Sequence, residues 1–515
     1  MKHYSDLEYL KLSRWNKFVY KFLSFFAAIP GWFLNLFKAI GRFFAKLGIF
    51  IADEFKDIGA TFIRGDWKTK VSFAVMGFGN AARGQIMRGL LFFAFEVAFI
   101  VYMIFGGGHW LAMLSTLGTQ GPEKVLEEVT MFGETQYIET TIYHDDSFKI
   151  LLYGVLTIFF IIALIYTWRL NVKQNKILEE ILASGKKIRS GKDDLKSLVD
   201  DQFHKTLLAL PLTGILVFTV LPIVFMILVA FTNYDGTHNG YTNNLFTWVG
   251  LDNFNTLLGW SAGGANYSAT FGEILVWTLI WAFFATFSNY FLGMFVAMMI
   301  NKKGIRVKKL WRTVLVLTIA IPQFISLLYV SKMFAANGLV NQALENWGWI
   351  DKPLPFWTDA TWARVTVILI NIWIGIPYLM LIATGILMNI PADLYESAQI
   401  DGANGWQQFS KITLPYMLFI TGPYLLTSFT SNMNNFNVIY LLTGGAPPNP
   451  AASGTSGSVG YTDLLITWLF KITTGAESQY YMASVVGIMV FVVVAVISMV
   501  VYNLLPSIKN EEDFQ

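Results

Sequence analysis

Eight stretches of this chain are long and apolar enough to cross a lipid bilayer, and nothing else in it limits the fold as much. A hydrocarbon core about 30 Å thick takes about 20 apolar residues per helix. The sequence supplies them at roughly 86–106, 148–168, 206–232, 271–300, 311–335, 362–390, 416–442 and 480–505. Lipid offers no partner to a backbone N–H or C=O, so these segments must pair their own backbone as helices. The expected fold class is all-α, a polytopic integral membrane protein with eight transmembrane helices. Pro377 and Pro423 fall inside the sixth and seventh spans, where neighbouring helices can re-satisfy the backbone. Composition agrees: charged residues make up 14% of the 515, against about 25% in an average soluble protein. The lack of cysteine excludes disulfides, thiolate zinc sites, iron–sulfur clusters and cysteine nucleophiles.

A formal net charge of +3 conceals a strong asymmetry. With the N-terminus inside, residues 1–88 carry 14 Lys or Arg, 169–205 carry 9 and 302–312 carry 6, and Lys411 and Lys509 complete the inner set. The outer segments hold only Lys124, Lys149, Lys332, Lys352, Arg364 and Lys471. The positive-inside rule then predicts a multi-pass protein of the cell (cytoplasmic) membrane with both termini in the cytoplasm.

The spans organise the chain into residues 1–85, a cytoplasmic amphipathic region; 86–168, two transmembrane helices; 169–205, a mixed-charge cytoplasmic connector; 206–505, a six-helix core containing the loop 391–415; and 506–515, a cytoplasmic tail. No cleavable signal peptide is expected in the first 80 residues. Between Pro30 and Asp53 the residues Phe33, Leu36, Phe37, Ile40, Phe43, Phe44, Leu47 and Ile51 share one helical face, opposite Lys38, Arg42 and Lys46. That pattern suits a helix lying on an anionic leaflet, with membrane lipid as its partner. A helix packed on other cytoplasmic parts satisfies the same amphipathic logic. Of the outer segments (106–147, 233–270, 336–361 and 443–479), the last is rich in Gly, Pro and Ser and is expected to be mobile.

Several chemistries are missing. There is no G-x-x-x-x-G-K-[ST] phosphate loop, and Gly185-Lys186-Lys187 and Gly191-Lys192-Asp193 lack its glycine spacing. No H-E-x-x-H or G-x-S-x-G motif occurs, and five scattered His form no plausible metal set. Neither a catalytic residue nor a metal site is expected, nor a nucleic-acid partner. Glu96 is the one carboxylate placed mid-span, while Glu273 and Lys332 lie near outer ends. A lone carboxylate fits a structural partner better than a proton relay.

The loop between the sixth and seventh spans carries the strongest signal. Pro391 ends the incoming span, Asp393 is placed to cap a short helix from about Leu394, and Gly402 breaks it. A second helix is expected from about Gly405 to Thr413, with Pro415 at the entry to the next span. The result is an elbow with Tyr395, Ala398 and Ile400 as apolar anchors, either a docking knob or an ordinary connector. Glu396-Ser397-Ala398, then Asp401-Gly402-Ala403, then Phe409 and Ile412-x-Leu414-Pro415 resemble the coupling-loop signature of the membrane subunits of ABC importers. Ser397 replaces an alanine of that signature. Phe231-Thr232-Asn233-Tyr234, Val249 to Phe254, Trp373-x-Gly375-x-Pro377-Tyr378, Asn434-Asn435-Phe436 and Gly460 to Leu465 are similar to the larger membrane subunit of maltose/maltodextrin importers. The resemblance covers roughly 206–505. Some relatives carry a large folded insert between the third and fourth spans, for which 233–270 is too short.

In the seventh span, Ser428, Ser431, Asn432 and Asn435 recur at i, i+3, i+4 and i+7. Hydroxyls and amides both donate and accept, as sugar hydroxyls require. Hydrogen bonding between helices is the competing explanation of such a stripe. The resemblance implies sugar contacts at Gly375, Tyr378, Ser428, Asn432 and Asn435. It also marks two departures: Ser431 stands where relatives place an aromatic, and Gln323 where they place a serine.

By that resemblance the chain is an ABC type I importer permease for an oligosaccharide, with maltose or maltodextrin expected. Its implied partners are a second permease subunit, an ATP-binding cassette subunit dimer, an extracytoplasmic sugar-binding protein and the oligosaccharide itself. ATP and Mg would reside on the partner ATPase, and no cofactor on this chain. The elbow residues Tyr395, Glu396, Ser397, Ala398, Asp401, Gly402 and Ala403 would seat in that ATPase. The alternatives are an ion-coupled secondary carrier, which would show inverted repeats and paired intramembrane charges, and a non-transporting scaffold or sensor on a permease core.

Overall fold

A computed structural model describes residues 13–131, 134–188, 193, 196, 199–200, 202–261, 264–302, 304–452 and 457–504. The tail expected at 506–515 and parts of the 169–205 connector lie outside the described residues. Among the described residues seven helices are long and apolar enough to cross a membrane, or eight if a bent pair that passes the same test together is one span. The architecture is thus that of a polytopic helical membrane protein.

The described chain separates into two compact units, one of Met1–His109 with Leu156–Thr213 and the other of Trp110–Val155 with Gly214–Gln515. In the first, α1 (Arg14–Arg64) is one helix of 51 residues that runs through Pro30 without ending. Two short helices follow, α2 (Trp67–Ser72) and α3 (Phe78–Ala81), before the first span α4 (Ile86–Met113). They are organised around Arg83, whose side chain is almost fully enclosed. Its guanidinium donates to Asp66 at 2.5 Å, Thr69 at 2.8 Å, Asn175 at 2.7 Å and Glu179 at 3.2 Å. A buried cation is stable only when paired in this way. Beside it Asn171 accepts from Ser72 and the Gly77 N–H. Glu96 accepts the Met76 N–H at 2.8 Å, which makes it a structural partner.

In the second unit, residues Glu123–Met131 (β1) and Glu134–Ile142 (β2) form an antiparallel two-stranded ribbon within the 106–147 segment, expected as an outer loop. The second span, α5 (Ser147–Ala183), crosses the division between the units, as does the third, α6 (Phe203–Val229). A short α7 (Asp252–Leu257) precedes α8 (Gly264–Asn301), the fourth span.

The fifth apolar stretch is not one helix. α9 (Lys308–Ala320) and α10 (Gln323–Met333) meet at 90° across Ile321-Pro322. Proline lacks the N–H needed to continue a ladder, and the residue before it is pushed towards extended backbone. Ile321 has ψ 126°, in keeping with that preference. After α11 (Leu339–Asn346), the sixth span α12 (Ala360–Leu387) runs unbroken through Pro377.

α8 and α12 form the centre of this unit, where Trp277, Trp281, Ala285, Val367 and Ile370 pack with Leu327, Val438 and Ile439. Tyr290, Met294, Ala297, Met380 and Ala383 continue the contact one end further along. Apolar side chains gain nothing by leaving lipid for protein, so small residues that let backbones approach are what hold such pairs together. The chain closes with the elbow helices α13 (Ala392–Ile400) and α14 (Gly405–Gln408), α15 (Leu414–Met433), the short α16 (Phe436–Leu442) and α17 (Leu465–Thr474), and the last span α18 (Tyr480–Leu504).

Candidate functional site

The elbow forms as a helix, a glycine reversal and a second helix. Pro391 occupies the cap position and α13 begins at Ala392, ahead of the start near Leu394 that an Asp393 cap would set. Asp393 makes no capping hydrogen bond; it sits in the first turn, where a carboxylate complements the positive helix end. Gly402 has φ +77° with open space where a side chain would stand. This left-handed conformation costs any L-residue energy and costs glycine none. The Ala403 N–H then closes the turn on Ala398 O at 2.8 Å. Asn404 and Gln407 cap α14 reciprocally, at 2.9 and 2.8 Å. Five residues in a wide π-type turn, Phe409–Thr413, lead into α15.

The three expected apolar anchors do not share one role. Ile400 is 86% exposed, as a docking residue would be. Tyr395 and Ala398 are half-buried, and the Tyr395 hydroxyl lies 2.8 Å from Thr413 Oγ1. Tyr395 therefore ties α13 to the segment that enters the membrane. Glu396, Ser397, Asp401 and Gly402 are exposed, and Ala403 is half-buried. Sequence reasoning missed Trp406, 72% exposed beside the turn; a bare tryptophan in a polar loop was the available signal.

Three of the seven expected sugar residues meet in one place. Gln323, Gly375 and Tyr378 line a cavity of about 460 Å³ at the bend between α9 and α10, together with Thr318, Ser326 and Trp373. Tyr378 and Trp373 are exposed there. Gly375 also has a packing duty, since a Cβ on it would collide with the Asn289 amide of α8.

The seventh-span residues are arranged differently from the expected single stripe. α15 ends at Met433, so Asn435 is not on the same helix but caps α16, accepting the Val438 N–H at 3.3 Å. Asn432 donates to Thr286 of α8 at 3.0 Å and accepts from Asn435 at 3.5 Å. Ser428 is half-buried and Ser431 exposed. Asn432 thus already serves as interhelical glue, and none of the four lines the cavity at the bend.

Two further amides went unnoticed in the sequence. Asn371, one turn before Gly375, and Asn289 opposite it are each 6% exposed, and Asn371 Nδ2 and Asn289 Oδ1 have no hydrogen-bond partner. Buried polar atoms are almost always paired, so an orphan marks a place for water or ligand. An asparagine four residues from Gly375 within a span was the signal.

Residues 443–452 and 457–464, in the segment expected on the outer side, are tied by a polar clamp. Arg364 donates to Tyr461 O at 2.8 Å and lies 4.8 Å over the Trp277 ring. Asn449 donates to Glu273 at 2.9 Å, and Lys471 meets Asp463 at 2.6 Å. Burial pushes the Asp463 carboxyl above its usual range, opposed by the Lys471 ammonium.

Residues 289–510 match the family profile described as "Binding-protein-dependent transport system inner membrane component". The maltodextrin transport system permease protein MalC of Streptococcus pneumoniae is 32% identical over 446 residues, which is 85% of this chain and 95% of that protein. The chain belongs to this family. It is an ABC sugar importer permease, and so a multi-pass protein of the cell membrane. Another relative, the galactooligosaccharides transport system permease protein GanP of Bacillus subtilis, is 31% identical over 443 residues, 85% of this chain and 97% of its own. Among solved structures, a bacterial ABC transporter involved in import of the acidic polysaccharide alginate is similar at 22% identity and a TM-score of 0.48, covering 60% of this permease and 97% of that chain.

Proposed function

We propose that this permease carries a neutral oligosaccharide of the maltodextrin class into the cytoplasm, driven by ATP hydrolysis on a partner. The observation that carries the reading is the elbow: an exposed Ile400 and Trp406 on either side of a glycine reversal, braced from behind by Tyr395. Such a knob suits a cleft on a cytoplasmic ATPase dimer. ATP and its Mg are bound there, and this chain supplies the mechanical contact. Closure of the dimer would move α13 as a rigid piece and pass the displacement through Thr413 into α15, a switch between two packed states. A second permease subunit completes the pathway, and an extracytoplasmic binding protein delivers the sugar. Both termini lie in the cytoplasm in this arrangement, as the basic residues require.

The uncharged cavity lined by Gln323, Gly375 and Tyr378, with the orphaned amide atoms of Asn289 and Asn371 beside Gly375, supports a neutral substrate. Hydroxyls can satisfy such amides without bringing a charge into the membrane. The maltodextrin assignment rests on the 32% identical MalC, and galactooligosaccharide on the 31% identical GanP. The test is uptake by the reconstituted complex, with maltotetraose and a galactooligosaccharide as competing substrates. Uptake of maltotetraose that requires ATP and the ATPase is expected. Uptake driven by a proton gradient in this chain alone would sink the reading, and preference for the galactooligosaccharide would change the sugar.

A further inference from the structure

From Tyr9 to Ala52 the chain contains no Asp or Glu and seven Lys or Arg. Nearly all of this acid-free run lies on α1, and the acids begin only at Asp53. Those acids have a specific use. Glu54 and Asp57 bind Arg169 of α5, Asp57 at 2.7 Å, and Asp57 also takes Lys176 at 2.6 Å. The half-buried or buried residues Glu54, Asp57, Ile58 and Thr61 are spaced i, i+3, i+4, i+7, so one stripe of α1 faces α5.

The level of that contact follows from length. α5 has 37 residues, about 55 Å at 1.5 Å per residue, against a hydrocarbon core of about 30 Å. Its apolar run ends at Trp168, and Arg169 is the next residue; tryptophan favours the headgroup boundary. Trp168 donates to Phe73 O at 2.9 Å, fixing the same level for the end of α2. The ion pairs therefore hold α1 at the membrane surface.

Among the exposed apolar residues of α1, four form a second stripe. Phe44, Ile51, Phe55 and Phe62 are all exposed and lie at i, i+7, i+11 and i+18, a single ridge about a quarter-turn from the α5 contact. Lys38, Arg42 and Lys46 are exposed on the side away from it. We infer that α1 docks on the bilayer leaflet at the Arg169 end of the second span, inserting the Phe44–Ile51–Phe55–Phe62 ridge among acyl chains while Lys38, Arg42 and Lys46 reach anionic headgroups. An apolar ridge on a helix whose cations stand unopposed on the other side fits lipid, since a protein partner would need acids placed to meet them.

The absence of cysteine makes the test clean. Nitroxide labels are attached at Phe55→Cys, Phe44→Cys and Lys46→Cys in the assembled complex, in vesicles with and without phosphatidylglycerol. Collision with oxygen is compared with collision with a water-soluble nickel chelate. The expected result is an oxygen-to-nickel ratio several-fold higher at positions 44 and 55 than at 46. That contrast should fall when phosphatidylglycerol is omitted, and in a Lys38→Gln/Arg42→Gln background. Equal nickel access at all three positions would place the ridge in water and overturn the inference. Shielding of position 55 from both reagents would mean that a protein covers it, and would overturn the inference equally. A contrast indifferent to phosphatidylglycerol would remove the anionic headgroup from it.

Discussion

The Tyr395 hydroxyl and Thr413 Oγ1 stand 2.8 Å apart, joining the exposed elbow to the segment that enters the membrane. Eighteen residues separate them in sequence, and Thr413 is buried. Tyr395→Phe keeps the ring and removes the hydrogen bond, a loss of about 1 kcal/mol. The expected outcome is normal membrane insertion and normal ATPase association, with sugar transported per ATP reduced several-fold. Transport stoichiometry in vesicles measures it; an unchanged ratio would mean the contact transmits nothing.

Gly402 separates conformation from contact. Its φ of +77° meets no neighbouring atom, so Gly402→Ala bears only the cost of left-handed backbone, about 1 kcal/mol. It is expected to weaken coupling mildly. Gly402→Pro cannot adopt positive φ and is expected to abolish co-purification with the ATPase while the chain still inserts. Equal behaviour of the two variants would count against the reversal as the recognised shape.

Gly375 can be probed through its neighbour. A Cβ on it would strike the Asn289 amide, and overpacking of this kind costs about 1–3 kcal/mol. Gly375→Ala is expected to lower the melting temperature of the purified chain, and Asn289→Ala in the same background to restore it. Restored stability without restored sugar uptake would assign the glycine, the amide or both to the substrate path.

One pH effect has a definite sign. Lys176 first, and Arg169 with it, hold the Asp57 carboxyl below its ordinary value of 3.8. A carboxyl depressed in the folded state contributes stability above about 3.8 and loses it as pH falls through the folded value. The tie between α1 and α5 is therefore expected to hold from neutral pH down to about 4 and to loosen below it. A double-label distance between Phe55→Cys and Lys173→Cys reads this directly. A distance that broadens already near pH 6 would contradict it.

The spans were legible because length and hydropathy alone decide them. Their interruptions were less so. Ile321-Pro322 sits in a largely apolar run, and Pro377 in another; only the first bends the chain, by 90°, while α12 is held against α8 along its length. The stripe from Ser428 to Asn435 read as one helical face because spacing is blind to where a helix ends, and α15 ends at Met433. The ribbon at 123–142 had its signal in Val125, Val129, Thr135, Tyr137, Ile138 and Thr140, β-formers passed over in a search for helices. At the elbow, the break at Gly402 was plain from sequence, whereas the inward turn of Tyr395 depends on Thr413, a partner that no local pattern reveals.

On the proposed sugar path, the bend at Ile321-Pro322 has a consequence for how selectivity can be engineered. Helix ends leave backbone N–H and C=O groups without intrahelical partners, and here a helix end and a helix start face the cavity that Thr318 to Ser326 help to line. Those main-chain atoms are the same whatever side chains surround them. Replacing Gln323 or Tyr378 would alter only part of what an entering solute meets, and the remainder would persist through every substitution that spares the bend. Relatives with unlike side chains at this cavity would then still share a common floor of recognition, one that alignment of residue types cannot display.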